Sequence, residues 1–285
     1  MNIIENLWLN RILPVIRETF FDERIYSLPF SKQFFESFKN FFKLSKFEFV
    51  RNLMPEFDPD KTNISWIPIN KKIEGKKEIA LPEEILGKLI EKAKHRVIVN
   101  FCGCRSASSC KNYSSDIGCL MMGESALLIP GKSSREVGVE EAKAHVRKAI
   151  DLGLVPITGK ARIDNDIFMI PDEGKLLTVC FCCECCCITR FTRYLPPDLM
   201  DKLHHPVEGL SIEVTDACVG CGKCVNKCYL RAIEIQNDKA VIGTMCRVCG
   251  RCAMICPTKA IKLKLNNDRA VEDVVNRIES VVNFN

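Results

Sequence analysis

Eight of the chain's eighteen cysteines fall in two runs of identical spacing. Cys218-Val-Gly-Cys221-Gly-Lys-Cys224-Val-Asn-Lys-Cys228 reads C-x2-C-x2-C-x3-C. Cys246-Arg-Val-Cys249-Gly-Arg-Cys252-Ala-Met-Ile-Cys256 repeats it, followed by Pro257. Such tight spacing lets one loop set three thiolates on three irons of an iron–sulfur cube. The fourth iron lies too far round, so the fourth cysteine of each run reaches the other cube. On that rule one [4Fe-4S] cluster takes Cys218, Cys221, Cys224 and Cys256, and a second takes Cys246, Cys249, Cys252 and Cys228. Gly220, Gly222 and Gly250 let the backbone approach the sulfurs and offer amides to them. Zinc sites favour two cysteine pairs separated by a longer loop, a pattern these runs fit poorly.

The other ten cysteines form two groups. The first is Cys102-Gly-Cys104-Arg105, then Cys110, then Cys119. The second is Cys180-Phe-Cys182-Cys183-Glu184-Cys185-Cys186-Cys187. A third Fe–S cluster, with or without a fourth, leads over structural zinc, redox-active C-x-x-C pairs and plain buried cysteine. The expected set is Cys102, Cys104, Cys110 and Cys119, with contributions from Cys182, Cys183, Cys185 and Cys186. Neighbouring side chains diverge, so a tract this dense cannot place every thiol on one small site. Arg105 either steadies cluster charge or binds an anion, with a surface ion pair as the plainer alternative.

The two runs and their flanks resemble the bacterial-type 2[4Fe-4S] ferredoxin family over roughly residues 212–265. The flanks read as a hairpin, 232–235 and 239–242, turning at Asn237-Asp238, and a further strand at 260–263. Tyr229 stands where the family has proline after the first run; that proline binds no iron. The whole layout resembles a larger group of Cys-rich 4Fe-4S proteins of anaerobes, a resemblance that names no reaction. The dense tract is also similar to the cysteine-rich domains of heterodisulfide reductase-type enzymes. Their long-range CCG spacing is not met, so no residue role carries over.

The elements that position these groups suggest a multidomain protein of α+β and α/β character. Residues 1–95 read as a helical N-terminal region, 96–204 as a Cys-rich α/β domain, 205–265 as the ferredoxin-like domain and 266–285 as a C-terminal helix. Ile4, Trp8, Ile12 and Ile16 line one helix face, and Phe34, Phe35, Phe38, Phe41 and Phe42 line another, with Lys32, Lys39 and Lys43 among them. Pro82 opens a helix over 83–94 with Ile85, Leu86, Leu89 and Ile90 inward. The β-branched run 95–101 and the run 176–180 are strands that lead straight into the cysteine groups. Were they parallel neighbours in an open α/β sheet, both groups would meet at one crevice. A helix over 139–152 buries Ala142, Val146, Ala149 and Ile150, and Gly153 ends it. His204 and His205 read as part of a linker.

So many thiols need either an oxidising compartment or metal. The first sixteen residues lack the basic, apolar and small-residue segments of a signal peptide. No stretch is apolar enough to span a membrane, and a cytoplasmic metalloprotein is expected. The Phe-rich basic helix allows peripheral membrane contact, but packing on the protein or a partner is favoured. The net charge of +5 is spread along the chain, which argues against nucleic acid. The stretch 207–265 has nine Lys/Arg against five Asp/Glu, a surplus that offsets cluster charge. Gly131-Lys132-Ser133-Ser134 lacks the first glycine of a P-loop, and no G-x-G-x-x-G follows a strand, so nucleotide, flavin and NAD binding find no support.

The expected function is electron transfer. Two [4Fe-4S] clusters would cycle between +2 and +1 and exchange electrons with the middle region or a partner redox protein. The rivals are a catalytic reductase subunit with an unusual Fe–S cluster or reactive thiols in the middle region, and an Fe–S redox sensor.

Overall fold

The computed structural model describes residues 13–70, 73–75 and 80–285. Its strands, in chain order, are β1 (Asn63–Trp66), β2 (Glu74–Gly75), β3 (Arg96–Val99), β4 (Leu120–Met122), β5 (Ser134–Glu136), β6 (Val155–Lys160), β7 (Leu177–Cys182), β8 (His204–Pro206), β9 (Leu210–Val214), β10 (Ile233–Gln236), β11 (Lys239–Ile242) and β12 (Ile261–Leu265). Helices pack around a mixed seven-stranded sheet of order β5-β3-β4-β7-β6-β1-β8. The fold is α+β.

The two expected strands are β3 and β7, and β7 runs on to carry Cys182 as well as Cys180. They are not neighbours. The short strand β4 lies between them and is antiparallel to both. The sheet is therefore no open parallel α/β sheet; β1 and β8 form its one parallel pair among the described residues. Two antiparallel steps restore direction, so β3 and β7 still run the same way and end at the same edge. The cysteine groups meet there for a different reason than expected.

The helix Leu81–Lys92 has Pro82 in its first turn and buries Ile85, Leu86, Leu89 and Ile90. The helix Val139–Asp151 buries Ala142, Val146, Ala149 and Ile150, the four residues spaced to one face. Gly153, at φ 77°, turns the chain back. These two helices pack together on the sheet. On the helix Pro29–Leu44, Phe35 is buried, Phe41 stacks on Phe57 at 4.8 Å, and Phe34 stays exposed. Of the first apolar stripe, Ile16 lies on the helix Leu13–Phe20, while Ile4, Trp8 and Ile12 lie outside the described residues.

Two readings change. The stretch expected to be helical supplies β1 to the sheet, between β6 and the edge strand β8. His204 and His205 form part of the edge strand β8 rather than a linker, and His204 is buried with its Nδ1 accepting from Trp66 Nε1 at 3.2 Å. Period and composition do not signal a strand in His-His-Pro; its partner β1 makes it one.

Beyond β8 the chain forms two small sheets. β10 and β11 make the hairpin, with Asn237 at φ 48° and Asp238 at φ 56°, the left-handed pair of a type I′ turn. β9 pairs antiparallel with β12, and β2 joins β12 in parallel. The helix Ala270–Glu279 buries Val271, Val274, Val275 and Ile278 and docks on Leu81–Lys92. Lys88–Glu272 at 2.5 Å and Lys92–Glu279 at 2.7 Å rim that contact. Among the described residues no helix is long and apolar enough to cross a membrane.

Candidate metal centre

All eighteen cysteines are free in the structure. The dense tract begins inside a strand. Along β7, Cys180 and Cys182 point to the same face because side chains alternate with period two. The chain then turns through 184–186. That turn swings Cys183, Cys185 and Cys186 away from the strand's own face. Cys110 comes to meet them from the segment after the short helix Gly103–Ala107.

The sulfurs of Cys110, Cys183, Cys185 and Cys186 all lie within 4.8 Å of one another. Cys110 and Cys185 are 3.5 Å apart, and Cys185 and Cys186 are 3.7 Å apart. A tetrahedral ion with metal–sulfur bonds of about 2.3 Å holds its sulfurs about 3.8 Å apart. The group therefore fits one metal ion. A hydrogen bond from Cys186 lowers the Cys183 thiol to about 6, against the opposing effect of burial. Burial raises the Cys185 thiol to about 12, with the Cys183 thiolate adding to the shift. The cluster thus stores one thiolate readily, and a cation is what would let the rest ionise.

The remaining six thiols collect elsewhere. Cys187 contacts Cys182 at 2.9 Å, and Cys119 contacts Cys180 at 3.4 Å. The neighbouring Cys102 and Cys187 thiols, together with burial, push the Cys104 thiol well above its usual range. The expected set of Cys102, Cys104, Cys110 and Cys119 is therefore split: Cys110 joins the tract's turn and the other three face Cys180, Cys182 and Cys187. Cys180 and Cys187 were missed as members. The alternation of a strand ending at Cys182 is the local signal for Cys180; nothing local marks Cys187.

Arg105 is 1% exposed, not a surface residue. Its guanidinium donates to the carbonyls of Ser114 at 2.8 Å, Phe181 at 2.8 Å and Ile117. Burial works against its charge, but thiolate at Cys102, Cys183, Cys187 and Cys119 outweighs that and raises its pKa. A fixed buried cation thus lies within electrostatic reach of thiols in both groups.

In the two runs, each five-residue helix, Lys223–Lys227 and Arg251–Ile255, starts at a left-handed glycine, Gly222 or Gly250. Gly250 sits at φ 76°, the left-handed region, where a side chain would be strained. Cys228 lines one cavity together with Cys246, Cys249 and Cys252. Cys218, Cys224 and Cys256 pack in the small core around Ile233, Ala240 and Ile261, and Cys221 is exposed. Backbone amides aim at the sulfurs: Ala240 N at Cys218 (3.4 Å), Ala232 N at Cys228 (3.3 Å) and Val248 N at Cys246 (3.4 Å). Amide donors of this kind suit sulfur ligands that carry negative charge.

The second run and the dense tract are joined directly. Glu184, between Cys183 and Cys185, pairs with Lys227 at 2.7 Å and Arg251 at 3.1 Å. Arg251 lies between Cys249 and Cys252, and its guanidinium also bonds the Tyr113 hydroxyl and the Gly153 carbonyl. Tyr229 lines the Cys228 cavity, and its hydroxyl reaches the Cys182 carbonyl. None of Glu184, Arg251 and Tyr229 was singled out as a bridge by spacing. No protein-family model, curated protein or solved structure matches this chain.

Proposed function

We propose that this chain is an iron–sulfur electron-transfer protein with a ferredoxin-like dicluster unit over 205–265 and a Cys-rich metal region over 96–204. One observation carries the reading: Cys228, the last cysteine of the first run, shares a cavity with the first three cysteines of the second. That crossed set is what two cubes held by a repeated C-x2-C-x2-C-x3-C run require. The amides directed at Cys218, Cys228 and Cys246 support the same ligands. When bound, two [4Fe-4S] clusters supply one-electron redox chemistry. The protein's own part is to hold the thiols, shield them and neutralise their charge. Arg251 and Glu184 tie the second set to the Cys110 group, and Tyr229 ties it to Cys182, which supports exchange between the two regions. The Cys110 group itself favours a single tetrathiolate ion, zinc by ligand softness and geometry.

Anaerobic purification with iron and acid-labile sulfide counts tests the reading. About eight of each, or more, is expected. Cys228→Ser is expected to alter the cluster signal that Cys246→Ser alters, not the one Cys218→Ser alters. Fewer than about four irons per chain, or a Cys228→Ser spectrum matching Cys218→Ser, would refute it.

A further inference from the structure

The six thiols left outside the Cys110 group surround a second space. Cys102, Cys104, Cys119, Cys180, Cys182 and Cys187 all line one cavity at the common edge of β3 and β7. Most of the remaining wall is apolar, with Phe101, Phe168 and Ile157 among its residues. The cavity volume is about 100 Å³. One water needs about 10–15 Å³ on that scale, so a group of several heavy atoms fits. Thr158, 1% exposed, lines the same wall, and its hydroxyl has no hydrogen-bond partner among the described residues.

We infer that this cavity holds a polynuclear, sulfide-bridged iron cluster bound by thiols drawn from Cys102, Cys104, Cys119, Cys180, Cys182 and Cys187, separate from the single-ion site at Cys110. The inference rests on the iron–sulfur reading above and adds a third cluster with named ligands.

Three features separate this space from the single-ion site. Six thiols exceed the four that one tetrahedral ion takes. They come from three segments and are spread round the cavity wall, with Cys182 and Cys187 in contact at 2.9 Å and Cys119 and Cys180 at 3.4 Å, rather than in one knot. No set of them forms the compact group that Cys110 makes with its three partners. Thiols spread around a cavity suit several metal atoms bridged by sulfide. The cavity also offers what such a cluster needs besides ligands. Its largely apolar wall, interrupted by Asp164, Thr158 and Thr178, keeps water from labile iron, and the Thr158 hydroxyl is free to donate to a sulfide. Cys182 places this set one hydrogen bond from Tyr229, hence beside the Cys228 cavity.

The test counts iron, zinc and acid-labile sulfide on the anaerobically purified full chain and on three double variants, with Mössbauer spectra of ⁵⁷Fe-grown protein. The variants are Cys102→Ser/Cys187→Ser, Cys183→Ser/Cys186→Ser and Cys218→Ser/Cys246→Ser. The wild type is expected to hold more than about eight irons. The Cys102/Cys187 variant is expected to lose roughly a third of its iron and sulfide while keeping its zinc. Iron that stays at the wild-type level in that variant overturns the inference. So does a wild-type count of about eight that falls only in the Cys218/Cys246 variant, an outcome that leaves the dicluster reading standing. Iron that falls in the Cys102/Cys187 variant and not in the Cys218/Cys246 variant does the reverse. Should the Cys102/Cys187 variant fail to fold, the wild-type count decides alone: above about eight irons supports the third cluster, and about eight refutes it.

Discussion

The Tyr229 hydroxyl donates a 2.5 Å hydrogen bond to the carbonyl oxygen of Cys182, 47 residues away in the chain. Its ring is buried against Trp66 with centroids 6.1 Å apart, edge to face. Tyr229 follows the first cysteine run, and Cys182 ends β7. The proline that the ferredoxin family carries at this position has no group that could make the bond. Tyr229 is thus a residue that joins the two cysteine regions.

Tyr229→Phe keeps the ring and removes the hydroxyl. A buried carbonyl loses its donor, which costs about 1 to 2 kcal/mol. The urea midpoint of the anaerobic protein is expected to fall accordingly, with iron content unchanged. An unchanged midpoint would mean the bond contributes nothing to the joint.

Glu184→Gln removes a carboxylate that two cations share. The Arg251 and Glu184 side chains are 6% and 8% exposed, so water screens them little, whereas Lys227 is 43% exposed and contributes less. Stranding the buried Arg251 charge is expected to cost about 3 kcal/mol. Lys227→Met is expected to cost under about 1 kcal/mol. Equal effects of the two changes, read by urea unfolding, would show that Glu184 does not clamp the second run through Arg251.

The Cys110 group predicts one ion per chain. Cys183→Ser/Cys186→Ser is expected to lose about one zinc and no iron, because two hydroxyls replace half of a tetrathiolate set. Loss of iron and sulfide instead of zinc would assign a cluster to these four thiols.

His204 gives the fold an acid-sensitive contribution. Burial, with the Arg247 and His205 charges adding to it, lowers its pKa to about 3. The unfolded chain titrates this group near 6.5, so below that pH the unfolded state binds the extra proton. Stability from the neutral ring is present above about pH 6.5 and is lost as pH falls toward 3, by up to about 1.4 kcal/mol per pH unit. His205, lowered to about 4 by burial first, acts in the same direction. His204→Gln keeps an acceptor for Trp66 Nε1 and is expected to flatten the difference in stability between pH 6.5 and pH 5. Parallel wild-type and variant curves over that range would remove His204 from the account.

The local features were legible before the structure. The two cysteine runs, the Asn237-Asp238 turn and the helix faces of Val139–Asp151 and Ala270–Glu279 depend on spacing within about a dozen residues, so the chain's own periodicity and turn chemistry state them. Even the density of Cys182–Cys187 implied that its thiols must diverge. Where they diverge to was decided by tertiary structure. β4, three residues with no readable alternation, inserts between β3 and β7 and sets both cysteine groups at one edge. The turn after Cys182 then sorts ten thiols into the Cys110 group and the six of the apolar cavity. Cys110, Glu184 and Tyr229 find partners far along the chain, and such contacts follow from packing, which no local pattern encodes.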